Sequence, residues 1–233
     1  MIKIKIWSDF ACPYCYIGER RLAKAISMLN LDKEVEINYK AFELDPYASK
    51  DIISKTIERF AKKYRLSLEE ASERVEEISA LGRDLGIDFR YKDSLYSNTF
   101  DAHRLMKLAE ERYDKETVDN LNENLFSAYF TKGLILADPE VLIKIGRGSG
   151  LKEKEIKDVL VTKKYGELVR QDEKEASMLG IRGVPYMVFN EEFAIPGALS
   201  TEGFILALNK ALNRQVDIKK EKAHECGPKG CEI

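Results

Sequence analysis

"IKIKIWSDFACPYCYIGERRLAKAISML", residues 2–29, decides the fold. Ile2, Ile4 and Ile6 alternate with Lys3 and Lys5, the spacing of a strand with one buried face. Two cysteines, Cys12 and Cys15, follow at once. Beyond them Leu22, Ala25, Ile26 and Leu29 recur at helical spacing. Pro13 suits the first turn of that helix, where a missing N–H costs nothing. Val35, Ile37 and Tyr39 then alternate as a second strand. Residues 2–42 therefore predict strand, helix, strand, with a crossover between parallel neighbours.

Working outward, the pattern from about residue 49 to about 161 is helical nearly throughout, with no strand signal. Leu68, Ala71, Val75 and Ile78 form one apolar stripe. Ala102, Leu105, Met106, Ala109 and Tyr113 form a second, and Val118, Leu121, Leu125 and Tyr129 a third. Asp138-Pro139 is a helix cap followed by a first-turn proline, and Gly146, Gly148 and Gly150 are expected to break the chain afterwards. Tyr165, Leu168, Val169, Ala176 and Leu179 predict another helix, ending near Gly180. "GVPYMVFN", 183–190, is a short apolar run bounded by turn residues. Phe193 and Ile195 supply its antiparallel partner after a turn at Asn190-Glu191, and a last helix spans 201–212.

The 233 residues suffice for a sizeable core without disulfide help. A formal net charge of -2 gives no field that favours nucleic acid or an anionic membrane. No apolar run has the length of a membrane span. Residues 1–6 lack the charged head, apolar stretch and small-residue cleavage site of a leader, so the chain is expected in the cytoplasm. Four cysteines in that reducing compartment argue against structural disulfides.

A thiolate is the attacking species in disulfide exchange, and a helix N-terminus favours it. Cys12 stands where strand gives way to helix, and Cys15 lies one turn inside. That geometry makes Cys12 the nucleophile and Cys15 the resolving thiol. A closed zinc site needs two further ligands, and no other cysteine and neither of the two histidines lies near in sequence. A structural cystine is the plain alternative, although a strand-to-helix junction is a poor place for one. The second feature is Pro185. A proline inside a central strand is normally excluded, and one resolution is a cis bond in a turn just before the strand.

The combination "SDFACPYCYIGERRL", "SNTFDAHRL" and "GIRGVPYMVFN" resembles the DsbA-like branch of the thioredoxin fold, and within it the FrnE-type cytoplasmic members. The resemblance implies an α/β thioredoxin fold with a large all-helical insertion. Its domains would be 1–44 with 163–213 for the thioredoxin part, 45–162 for the helical insertion, and 214–233 for a flexible tail. It implies a protein dithiol–disulfide oxidoreductase or isomerase with Cys12 attacking and Cys15 resolving. Pro185 would be a cis proline facing them, Val184 would pair with a substrate strand, and Pro13 and Tyr14 would tune the redox potential. DsbA carries histidine where this chain has Tyr14, so its strongly oxidising character does not transfer with the resemblance. Glutaredoxins share Pro-Tyr but lack the insertion. Asn98, Thr99 and His103 are implied to approach the groove, although His103 also fits a packed or surface histidine. Asp9 fits a turn or capping residue, with a proton-relay role as the sharper reading.

"HECGPKGCEI", 224–233, holds Cys226 and Cys231. They read as a second redox pair relaying electrons to Cys12 and Cys15, as an idle pair, or with His224 as soft metal ligands. No metal and no organic cofactor is expected. The expected partners are thiol- or disulfide-containing proteins and glutathione, with the chain a monomer or homodimer. The rival function is a glutathione-dependent isomerase or transferase of the 2-hydroxychromene-2-carboxylate isomerase or kappa class. The other rival is a non-catalytic binding or metal-storage protein.

Overall fold

Ile2–Ser8 form strand β1, and helix α1, Pro13–Met28, carries the chain over to strand β2, Val35–Ala41. The computed structural model describes residues 1–51 and 54–213. A two-residue strand β3, Ser54–Lys55, leads into helices α2, Thr56–Tyr64, and α3, Leu68–Arg83. Ser67 and Glu70 close a reciprocal capping box at the start of α3. After a short 3-10 turn come β4, Leu95–Tyr96, and helices α4, Phe100–Arg112, and α5, Lys115–Phe130. Helices α6, Pro139–Gly148, α7, Glu153–Val161, and α8, Gly166–Met178, follow. The hairpin β5, Tyr186–Phe189, and β6, Phe193–Pro196, precedes the last helix α9, Thr201–Ala211.

The main sheet has the order β2-β1-β5-β6, with β1 parallel to β2 and antiparallel to β5. Both halves of the chain therefore build one sheet. The hairpin turns at Asn190 and Glu191, whose φ of 51° and 59° is the double left-handed geometry of a tight hairpin. On one face Ile2, Ile4 and Ile6 pack with Leu22 and Ile26 of α1 and Phe204 and Leu208 of α9. On the other, Trp7 donates to the Asp172 carbonyl of α8 at 3.1 Å. The outer edge of β2 is not left open. Glu110 accepts from the Tyr39 N–H at 2.8 Å, and Asp172 accepts from the Ala41 N–H at 3.0 Å. Such edges otherwise recruit other strands.

The helical block clamps onto α1 through aromatic rings. Tyr16, one residue past Cys15, stacks on Phe126 at 5.0 Å, and Phe89 stacks on Phe130 at 4.9 Å. Gly82 of α3 lets Phe89 reach that stack, because a Cβ there would stand 2.3 Å from the Phe89 ring. Gly82→Ala should destabilise the fold by about 1–2 kcal/mol, overpacking outweighing the gain in helix propensity. A denaturant titration with an unchanged slope checks this.

Three details depart from the sequence reading. The helical block also holds β3 and β4, which pair Ser54 with Tyr96 and Lys55 with Leu95. Strands of two residues leave no alternation to detect. Gly146 and Gly148 lie inside α6, because Gly146 packs directly against Ile156 of α7. Leu68 is 60% exposed and Leu179 55% exposed, each at a helix end outside the buried stripe. Among the described residues no helix is long and apolar enough to cross a membrane. Cys226, Cys231 and His224 lie outside the described residues.

Candidate active site

Cys12 is the N-cap of α1 and Pro13 its first residue, so Cys15 falls one turn inside the helix. The Cys12 N–H donates to the Asp9 carbonyl at 2.9 Å, which tightens the turn from β1 into α1. Both cysteines are free thiols and both are fully buried. The peptide bond between Val184 and Pro185 is cis, and the Cys12 thiol donates to the Val184 carbonyl at 3.5 Å. Residues 172 positions apart in sequence thus meet at the dithiol.

Burial pushes the Cys15 thiol well up. The hydrogen bond to the Cys12 sulfur and the negative charge there add to the effect, and a backbone hydrogen bond from Asp9 opposes it. Cys15 is therefore the thiol of the pair that is held toward its protonated form. Burial first, and the Cys12 charge second, also push the Tyr14 hydroxyl up. Beside the turn opens a pocket lined by Phe60, Tyr64, Tyr91 and Tyr96. The Arg59 guanidinium lies over the Tyr96 ring at 3.5 Å and pairs with Asp45 at 2.6 Å.

The "SNTFDAHRL" segment divides by helix face. Thr99 donates to Asp9 Oδ1 at 2.9 Å, and His103 Nε2 stands 3.7 Å from the same oxygen. His103 also packs its ring against Phe10 at 4.9 Å. These two side chains do reach the dithiol turn. Asn98 donates to the Ala48 carbonyl, 50 positions away, and accepts from the Phe100 N–H, tying the start of α4 to the segment after β2. Arg104 turns the other way, pairing with Asp101 at 2.7 Å and capping carbonyls at the end of α7. Asp9 is more than a turn residue. Its carboxylate accepts from Ala11 N–H, Leu44 N–H and the Thr99 hydroxyl, so three segments converge on the turn that holds Cys12.

Sequence inspection passed over Glu19. It lies one turn beyond Cys15 on the same buried face of α1 and acts electrostatically on that thiol. Ser8 donates to Oε1 at 2.7 Å and Asn122 to Oε2 at 2.6 Å. Burial pushes the carboxyl up to about 7 against those two hydrogen bonds. A cleft of about 260 Å³ between α1, β2 and α5 includes Glu19 in its wall. The available signal was its place in the series Cys15, Glu19, Leu22, Ile26, an acid on the helix's apolar face. Glu43 is a second buried carboxyl nearby, raised by burial to about 7 although His103 and Arg170 pull it down. Among the described residues no three metal-ligating side chains gather as for a metal ion.

The model of the DSBA-like thioredoxin domain matches residues 3–209. A probable DsbA oxidoreductase from Streptomyces coelicolor is 34% identical. Its crystal structure superposes with a TM-score of 0.86 over 100% of this chain and 99% of that one. The uncharacterized protein YwbO of Bacillus subtilis is 27% identical over 210 residues, 89% of this chain and 96% of its own. A 2-hydroxychromene-2-carboxylate isomerase shares the fold at 15% identity, with a TM-score of 0.65 over 91% of this chain and 94% of that one. A thioredoxin sheet interrupted by helices, with two thiols at the start of its first helix and a cis proline against them, agrees with that match over nearly the whole chain: this protein belongs to the DSBA-like thioredoxin domain family.

Proposed function

We propose that the chain exchanges disulfides with thiol substrates through Cys12 and Cys15. The observation that carries this is the asymmetry of the two thiols. Cys12 caps the helix start and faces the Val184 carbonyl beside the cis Pro185, and Cys15 lies one turn inside the helix behind it. Cys12 attacks a substrate sulfur, a mixed disulfide forms, and the substrate's other sulfur leaves as a thiolate. Cys15 then attacks the Cys12 sulfur. Its proton passes to the Glu19 carboxylate, the Cys12–Cys15 bond forms, and the remaining substrate sulfur leaves with its electron pair. Substrate is reduced and the pair is oxidised; the reverse sequence oxidises a substrate dithiol.

Pro13 and Tyr14, between the thiols, set the potential, and the backbone at Val184 and Pro185 aligns the substrate strand. Because Cys12 is fully buried, exchange requires the segments around it to part. The scheme needs no metal or organic cofactor. Its partners are disulfide- or thiol-containing proteins and glutathione, in a reducing compartment such as the cytoplasm.

The test is the redox equilibrium of Cys12 and Cys15 against glutathione, with Cys226 and Cys231 first changed to serine and then restored. A reversible two-electron couple is the expected result, and a shift on restoring the tail would assign it a relay. If no Cys12–Cys15 disulfide forms at any poise, the proposal fails. The glutathione-dependent isomerase, whose fold this chain shares, then takes its place.

A further inference from the structure

The pocket beside the dithiol turn takes no part in the exchange scheme, yet it adjoins the reacting sulfur. Ala11, next to Cys12 in the chain, lines one side, and α2 supplies another with Arg59 and Lys63. Tyr91 and Tyr96 stand in the same wall. Both tyrosines feel the thiol turn. Burial first, and the thiolate form of Cys12 second, push the Tyr91 hydroxyl up. Burial first, and the Asp9 charge second, do the same to Tyr96. Tyr91 is therefore within electrostatic reach of Cys12, and Tyr96 within reach of the carboxylate that fastens the turn.

The charge in this pocket has one sign. Arg59 and Lys63 stand four residues apart, on one face of α2. None of the described residues in the lining is acidic. Arg59 is held in place from two sides. Its guanidinium lies over the Tyr96 ring at 3.5 Å, and it donates to Asp45 Oδ2 at 2.6 Å from behind the lining. Asp45 thereby meets one arm of a fork that has five N–H donors. The space inside is about 30 Å³. That is room for about two water-sized groups, the size of the two oxygens of a carboxylate.

We infer that this pocket binds a carboxylate carried by the substrate close to its disulfide, with Arg59 and Lys63 as specificity-determining residues. This rests on the reading that Cys12 and Cys15 exchange disulfides, and it names the class they prefer: anionic ones. A carboxylate seated between α2 and Ala11 holds the neighbouring substrate sulfur beside Cys12. Hydrogen bonds from a cation to a carboxylate are stronger than neutral ones. Neither Arg59 nor Lys63 touches sulfur, so their effect falls on capture of the disulfide and not on its release by Cys15.

The experiment measures how fast the reduced full chain, with Cys226 and Cys231 changed to serine, is oxidised by three symmetric disulfides at pH 7. They are dithiodipropionate, bis(2-hydroxyethyl) disulfide and cystamine, which carry carboxylates, hydroxyls and amines. Each takes two electrons from the dithiol and leaves as two thiols. Each rate is divided by that of the same disulfide with a free neutral thiol, which removes differences in leaving-group pKa. Dithiodipropionate should lead the hydroxyl compound by about tenfold, and cystamine should trail it. Arg59→Gln with Lys63→Gln should bring that ratio to about one. Lys62→Gln makes the same change of charge as Lys63→Gln on the same helix, but outside the pocket lining, and should keep the preference. A general positive field would lower the ratio alike in Lys62→Gln and Lys63→Gln, and that result overturns the inference. Should Arg59→Gln fail to fold, Lys63→Gln alone decides, with a fall of about threefold expected. Equal normalised rates for all three disulfides overturn the pocket assignment and leave the exchange reading standing. Oxidation by none of them overturns the exchange reading itself. Peptide disulfides with Glu or Gln beside the cysteine separate the sources of the carboxylate. A preference for Glu assigns the pocket to acidic flanks of polypeptide substrates as well, and equal rates assign it to small anionic disulfides.

Discussion

Cys15→Ser should leave a chain that attacks disulfides once and then stops. Cys12 keeps its place at the cap of α1 and its contact with the Val184 carbonyl, so the first exchange proceeds. The mixed disulfide then lacks the neighbour that releases it. An intramolecular thiol one turn away acts at an effective concentration far above that of free thiol in solution. Turnover with glutathione disulfide or a protein disulfide should therefore fall by at least about 100-fold. With Cys226 and Cys231 also changed to serine, mass spectrometry should find about one adduct per chain, reversible by dithiothreitol. The isomerase reading predicts the opposite, since one activated group on bound glutathione suffices for it. Undiminished turnover with no adduct would reject the dithiol mechanism, whatever the fold resembles.

Local pattern made much of this legible. Alternating isoleucines mark β1 because one of its faces lies against α1 and α9. Pro13 marks the start of α1, and Asp138 with Pro139 the start of α6, because caps and first-turn prolines are decided within a few residues. The proline at 185 stood out because a strand interior excludes it. What stayed hidden depends on contacts across the chain. Thr99 meets Asp9 from 90 positions away, and Asn122 meets Glu19 from 103. Read locally, Glu19 in "GERRL" sits among charges, and its place on the apolar series of α1 is its one local mark. Only the helical block packed over α1 turns it into a buried acid. His103 presented the same ambiguity, and the tilted contact with Phe10 resolves it toward the core. The polar half of the site is tertiary, whereas the thiol half is written in twelve consecutive residues, 7–18.

Glu19→Gln should make the protein slower and more stable at once. The loss of rate follows from its place beside Cys15. Without that carboxylate, the resolving thiol loses the acceptor one helical turn away, and removing a positioned general base costs about 100-fold or more. The gain in stability follows from linkage. The ordinary carboxyl value is 4.5, and burial raises Glu19 to about 7 in the folded chain. The folded state thus holds this proton more tightly than the unfolded one. The stability it contributes is complete below about pH 4.5 and is lost as pH rises through about 7. Across that window the difference amounts to about 3 kcal/mol. Glutamine carries no charge at any pH, so the variant escapes the loss. At pH 8 it should exceed the parent by up to about 3 kcal/mol, less the cost of one hydrogen bond, because its amide N–H₂ must face one of the two donors, Ser8 or Asn122. At pH 4 the advantage should vanish. Glu43 titrates in the same range, so the informative quantity is the difference between the two proteins, measured by denaturant titration at both pH values. A difference that does not change with pH would mean that Glu19 is ionised at no cost in the fold. It would then lack the raised proton affinity that suits it to take a proton from Cys15.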